Sequence, residues 1–255
     1  MARAAVPGGL SARRAWRDAT LVERRPETDS AVTLVLDVHD WPGHLPGQHV
    51  DVRLAAPDGY TATRSYSVSA PERGDRVELT VQRVPDGEVS GFLADGLAVG
   101  DAVRLRGPVG GWFVWRATQA EPVLLVAGGS GVVPLMSMLR ACSEVDHAGG
   151  PPFRLVYSVR EPGDVIYRDE LAGLGTGDAV DVHLVHTRRA PEAATRPVGR
   201  LRADDLVGSA WGAEDAPTCY VCGPTGFVEA AADLLVGLGH APDRIRTERF
   251  GPSGP

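Results

Sequence analysis

Val123-Leu124-Leu125-Val126-Ala127 runs without interruption into Gly128-Gly129-Ser130-Gly131-Val132-Val133-Pro134. Five consecutive apolar residues predict a strand buried on both faces of a parallel sheet. The glycines that follow let the backbone turn tightly and approach a pyrophosphate, and the helix after them aims free N–H groups at the same place. Gly129 and Gly131 fit the first two positions of a dinucleotide fingerprint, with Ser130 between them. Pro134 stands at the third position, so the strict pattern fails. It is read instead as the first helical residue, where proline's missing N–H is tolerated. A tight strand-to-helix turn with no ligand is the plain alternative. No Gly-x-x-x-x-Gly-Lys-Ser/Thr occurs, so a triphosphate-cleaving loop is not indicated.

Working downstream, helix and strand patterns alternate: helix 134–142, strand 153–158, helix 167–174, strand 179–186, helix 203–207, strand 218–221, helix 226–238 and strand 245–249. Such alternation predicts right-handed βαβ units in a doubly wound parallel sheet. Upstream the pattern is all strand: 20–24, 32–38, 49–54, 64–69, 76–84 and 102–106. Turns such as Pro46-Gly47 and Pro85-Asp86-Gly87 separate these runs, and 91–97 is the single helical patch. The expected fold is therefore β followed by α/β. A loose arm at 1–15 precedes an antiparallel Greek-key β-barrel domain at 16–117 and a doubly wound parallel-sheet domain at 118–255.

The 255-residue chain has a formal net charge of -7, which gives no electrostatic reason to expect nucleic acid. No apolar run approaches the length of a membrane span. Three cysteines make neither a disulfide framework nor a four-cysteine iron–sulfur pattern, and a reduced cytoplasmic setting is expected. The early arginines lack the apolar stretch of a secretory signal. His183 and His186 splay to opposite faces of a strand, so no metal site is expected.

Three further stretches carry chemistry. Arg64-Ser65-Tyr66-Ser67 offers a permanent cation for a phosphate, a flat ring for an aromatic cofactor, and a hydroxyl able to donate or accept. A barrel strand with an arginine at its rim is the bland reading. Gly87-Glu88-Val89-Ser90 reads as a glycine turn into a short helix, with N–H groups and the Ser90 hydroxyl facing a pyrophosphate. Tyr220-Val221-Cys222-Gly223-Pro224 ends a strand at a glycine before a helix. Its Cys219-x-x-Cys222 spacing places the two thiols on opposite faces of an extended strand, against dithiol chemistry. Asp204-Asp205 reads as a pair at a helix start. Ser158 and Arg160, then Arg168, Arg188 and Arg189, suit the 2′-phosphate of NADPH, although Glu161, Asp164 and Asp169 are interspersed. NADPH is favoured and NADH stays possible.

In this order and at these intervals, with the terminal Glu248-Arg249-Phe250-Gly251, the motifs resemble the ferredoxin–NADP reductase-like flavoprotein family over residues 17–252. In particular they resemble the reductases that serve aromatic-ring dioxygenases. The resemblance implies an FAD-binding barrel and an NAD(P)-binding α/β domain. It places Arg64 on cofactor phosphate, Tyr66 on the isoalloxazine and Ser67 near N5. Val81, Arg83, Gly87, Val89 and Ser90 would complete an FAD rather than FMN site. Cys222, Gly223 and Pro224 would lie beside the nicotinamide ring. Glu248 would stand near the flavin–nicotinamide junction, and Phe250 would flank the flavin. Ser67, Cys222 and Glu248 are thus the expected catalytic group. The implied activity is hydride transfer from NADPH to FAD, with electrons passing to a separate acceptor protein or a small oxidant. A flavin-binding sensor without turnover, and a flavin-free dehydrogenase, are the alternatives.

Overall fold

A computed structural model describes residues 15–55, 58–144, 151–175, 180–207 and 212–251. The described chain divides into two compact units: residues 15–26, 30–116 and 136–141 form one, and residues 27–29, 117–135 and those from 142 onward form the other. The main change of unit falls between Arg116 and Ala117.

In the first unit six strands form one antiparallel sheet: β1 (Trp16–Thr28), β2 (Ala31–Asp37), β3 (His49–Ala55), β4 (Thr61–Ser67), β5 (Arg76–Gln82) and β6 (Ala102–Val109). Their order is β4-β3-β6-β1-β2-β5, a Greek-key arrangement. Past the end of β4, a bridge between Val68 and Leu79 joins the two sheet edges and closes the barrel. The period-two alternation turns Leu34, Leu36, Val77, Leu79 and Val81 into a common core with Leu21, Val50, Val52 and Leu105. The helical patch is α1 (Glu88–Gly91) followed by one π-helical turn at Phe92–Gly96. Leu93 and Leu97 are buried in the barrel core, while Arg24 donates to the carbonyls of Ala94 and Leu97 that the short helix leaves open.

In the second unit β7 (Val123–Gly128), β8 (Phe153–Val159), β9 (Val180–His186), β10 (Thr218–Pro224) and β11 (Ile245–Phe250) form a wholly parallel sheet of order β11-β10-β7-β8-β9. The chain crosses through α2 (Val132–Ser143), α3 (Arg168–Leu174), α4 (Ala203–Leu206) and α5 (Thr225–Gly237). It builds outward from β7 to β9, then returns to the other side of β7 for β10 and β11. The strand order thus reverses between β7 and β10, which is where open parallel sheets form their ligand crevice.

Several boundaries differ from expectation. β1 spans thirteen residues rather than the five at 20–24; its early residues Trp16–Ala19 are carried by their pairing with β6. β10 continues through Gly223 and Pro224, carried by its ladder to β11. Pro134 is the third residue of α2 rather than the first, because a 3₁₀ turn at Gly129–Gly131 comes before it. It still falls in the first turn, where backbone N–H groups have no intrahelical acceptor to lose. Residues 1–14 of the expected arm, and residue 179 of the expected strand, lie outside the described residues. Among the described residues no helix is long and apolar enough to cross a membrane.

Leu79 is almost wholly buried and lies at the closing bridge. Leu79→Ala is expected to cost about 2–5 kcal/mol, read as a lower urea midpoint for the barrel's unfolding at an unchanged slope.

Candidate functional site

β4 has β3 as its one strand neighbour among the described residues, so much of its other edge is available to a ligand. Opposite residues of an antiparallel pair share a face, and Tyr66 stands opposite Val50. Its ring packs on the barrel core, and burial pushes the phenol up to about 12, so it stays protonated. Arg64 is exposed, with its guanidinium donating to the Thr63 carbonyl at 2.8 Å. Ser65 donates to Asp51 at 2.7 Å, and Asp51 also holds Arg106 at 2.7 Å. Burial works to raise the Asp51 carboxyl, but the bonds from Arg106 and Ser65 prevail and hold it low. Ser65 is therefore tied to the neighbouring strands. Ser67 is different: it is 5 % exposed, and its Oγ has no hydrogen-bond partner among the described residues. A buried hydroxyl without a partner is uncommon and points to a missing polar neighbour. An exposed arginine, a half-buried ring and an orphaned hydroxyl within four residues of an open edge fit a flavin nucleotide.

The glycine turn follows β5. A cavity of about 420 Å³ is lined by Ser30, Arg83, Val84, Pro85, Asp86, Gly87, Glu88 and Gly91. Arg83 reaches Asp95 at 3.2 Å, both side chains being about half exposed. Such a surface pair is weak, so the guanidinium can turn to a phosphate at little cost. Three expectations change here. Val81 and Val89 lie in the barrel core, 0 % and 2 % exposed, because the strand's alternation and the short helix turn them inward; their side chains cannot line a ligand site. The Ser90 hydroxyl accepts from the Val84 N–H at 3.1 Å and donates to the Gly87 carbonyl at 3.3 Å, so it braces the turn rather than facing out. Ser30 and Asp86 were not anticipated as lining residues; the Pro85-Asp86-Gly87 turn was visible only as a turn.

At the switch point of the second unit, Gly129 has φ +55°, and nothing stands within 4 Å of where a Cβ would be. This leaves open, side-chain-free backbone of the kind a pyrophosphate can approach. Gly131 lies on the other side of the turn, packed directly on β10: an added Cβ would meet the Cys222 carbonyl oxygen at 2.1 Å. Ser130 is half exposed between them. The parallel register pairs Cys222 with Glu248, Gly223 with Arg249, and Pro224 with Phe250, bringing the two C-terminal motifs side by side. Cys222 is fully buried, and burial first, then the Glu248 charge, push its thiol well above the ordinary value. Cys219 is pushed up to about 12 by burial, and Cys142 on α2 to about 11. All three are neutral thiols, unsuited to nucleophilic or dithiol chemistry.

Ser158 is buried at the end of β8, followed by exposed Arg160. Of the other arginines, Arg189 pairs with Glu161 at 2.8 Å, and Arg168 donates to the Pro162 carbonyl. Arg188 is exposed, and its backbone N–H bonds to the Arg160 carbonyl at 2.9 Å. Among the described residues no cluster of three His, Cys, Asp or Glu side chains could hold a metal ion.

One chain thus joins a barrel with an open strand edge to a parallel sheet whose glycine loop sits at the switch point. The oxidoreductase FAD-binding domain family matches residues 19–114, and the oxidoreductase NAD-binding domain family matches residues 125–233. The chain belongs to the ferredoxin–NADP reductase-like flavoprotein family that joins these two domains. It is 31% identical over 235 residues to the reductase component of propane 2-monooxygenase from Rhodococcus jostii, covering 88% of this chain and 61% of that protein. It is 32% identical over 251 residues to a flavohemoprotein from Chromobacterium violaceum, covering 92% and 61%. The crystal structure of the FAD/NAD-binding domain of a nitric oxide dioxygenase from Vibrio cholerae superposes with a TM-score of 0.81 at 25% identity, covering 92% of this chain and 99% of that one. The chain thus spans about three-fifths of the length of such curated relatives.

The raised thiols have a signed consequence. A folded-state pKa above the unfolded value of about 8.5 stabilises fully below that value and is lost as pH rises through the alkaline range. Ellman's reagent at pH 8 should leave the three thiols of the native protein largely unreacted and titrate all three after unfolding, and stability should fall as pH climbs above about 8.5. Rapid reaction of Cys222 in the native state would contradict its burial.

Proposed function

We propose that this chain is an NAD(P)H-dependent FAD reductase, taking a hydride from NADPH and delivering electrons to a separate acceptor, either a protein or a small oxidant. The observation that carries the reading is the buried, unpartnered Ser67 hydroxyl on the open edge strand with Arg64 and Tyr66. A dehydrogenase without flavin has no use for it. Bound FAD supplies the exchange between a two-electron hydride donor and acceptors that take electrons singly.

The chain's own residues bind, orient and tune. Arg64 and Arg83 neutralise cofactor phosphates, Tyr66 offers its ring as a platform, and Ser67 supplies a hydrogen bond at N5. In the α/β unit the Gly129–Gly131 turn receives the coenzyme pyrophosphate, with Pro134 holding the first turn of the helix behind it. Cys222, Gly223 and Pro224 shape the nicotinamide subsite as a neutral, closely packed wall. Glu248, beside Cys222 in the sheet, supports the local hydrogen bonds. Ser158 and Arg160 select the 2′-phosphate, so NADPH is preferred over NADH. The acceptor reading draws on the relatives named as monooxygenase and dioxygenase reductase components. Three unpaired, buried cysteines suit a reducing cytoplasm.

The test is an anaerobic absorbance titration. The purified protein should be yellow and bleach faster with NADPH than with NADH. Ser67→Ala should keep its FAD yet be reduced about tenfold or more slowly, the scale of one lost hydrogen bond to a developing charge. Arg64→Ala should release FAD on dilution. A colourless protein would refute the flavin site, and yellow protein that neither coenzyme bleaches would replace the reductase reading by a regulatory one.

A further inference from the structure

Residues 187–202 connect β9 to α4 without a helix or strand. A loop of this length is uncommon in a compact unit unless it has a task or is firmly tied. Its start is bound to the end of β8: Thr187 N–H donates to the Val159 carbonyl, and the N–H groups of Arg188 and Arg189 both donate to the Arg160 carbonyl. Its far end returns to the same place, since Gly199 N–H donates to the His186 carbonyl at 3.0 Å.

A single ion pair gathers the middle. Asp205, the third residue of α4, is 6 % exposed. Its Oδ2 accepts from Arg196 Nη2 at 2.7 Å and from the Arg202 N–H at 2.8 Å, while Oδ1 accepts from Arg196 Nε and lies 3.4 Å from His183 Nε2. Arg196 also donates to the carbonyls of Pro197 at 2.8 Å and Arg200 at 2.9 Å. One guanidinium therefore holds two carbonyls of the loop to the start of α4. A buried ion pair adds little net stability after desolvation, and its best-attested use is to select one arrangement of the chain.

We propose that the Asp205–Arg196 pair is a positioning device for coenzyme selection: it fixes the 187–202 loop so that Arg188 stands beside Arg160 as a second arm for the 2′-phosphate. The inference rests on the phosphate-accepting reading of Arg160 given above. Of the four arginines in this region, Arg189 pairs with Glu161 and Arg168 donates to a carbonyl, both at the surface, whereas among the described residues the guanidinium groups of Arg160 and Arg188 meet no acidic partner. Arg188 is the first arginine of the loop and borders the sheet's C-terminal edge, where parallel sheets take their ligands. Asp205 is buried and bonded to Arg196 and Arg202, so it acts through the loop rather than by touching coenzyme.

The experiment uses the FAD-loaded protein and calorimetric binding of two probes, 2′,5′-ADP and 5′-AMP, which differ only in the 2′-phosphate. The wild type should bind 2′,5′-ADP at least about tenfold more tightly, as one well-made phosphate contact implies. Asp205→Asn should lose about tenfold for 2′,5′-ADP while 5′-AMP changes by less than about twofold. Asp205→Glu, which keeps the charge, should recover most of the loss. In an Arg160→Ala/Arg188→Ala background, Asp205→Asn should add nothing, because coupled residues are non-additive. Should Asp205→Asn not fold, Arg196→Lys gives the same readout, retaining the charge but not the fork. Equal losses for both probes, or an additive loss in the double-arginine background, would overturn the positioning role. A wild type indifferent to the 2′-phosphate would overturn the NADPH reading first, and the inference with it.

Discussion

The backbone of Gly131 lies against the Cys222 carbonyl with no room for a single carbon between them. That approach seats the β7 loop on the end of β10 at the one place where the strand order reverses. Everything proposed for the coenzyme depends on it. The seated turn leaves Gly129 open on its outer side, directs the start of α2 toward that opening, and stacks the Cys-Gly-Pro segment against the loop. With β10 so placed, its ladder to β11 carries Glu248 and Phe250 alongside Cys222 and Pro224. A few cubic ångströms of forbidden space thus organise three stretches far apart in the chain.

The barrel works by an opposite device, an incompletely used edge. Its sheet closes through the Val68–Leu79 bridge, past the end of β4, so that β4 itself keeps an open side. The consequence is that Tyr66 can be half in the core and half available, and Ser67 can be buried without an internal partner. Polar residues one position away are not left in that state: Ser65 is bound to Asp51, which in turn is bound to Arg106.

Much of this was legible in the chain. The apolar run at 123–127, the glycines after it and the strand–helix alternation downstream follow from period and punctuation, and the short strands of the barrel domain were marked off by its turns. Residues whose role depends on direction were not legible. Val81 and Val89 sit within a binding motif yet point into the core, and Ser90 turns back on Val84 and Gly87. Sequence proximity to a site does not fix a side chain's heading, which is set by pleat and by the first available partner. Asp205 was readable as a residue at a helix start, but its guanidinium partner nine residues upstream depends on how an irregular loop folds back.

The sequence by itself determined the class of each sheet and the nucleotide motifs, because these rest on periodicity, backbone-permissive residues and local spacing. Only the tertiary structure decided where the glycine loop is seated, which hydroxyls stay unpaired among the described residues, which arginines meet an acidic partner, and what holds the 187–202 loop. Those outcomes are contests among groups distant in the chain for the same space or the same hydrogen bond, and they are resolved only when the strands are in register.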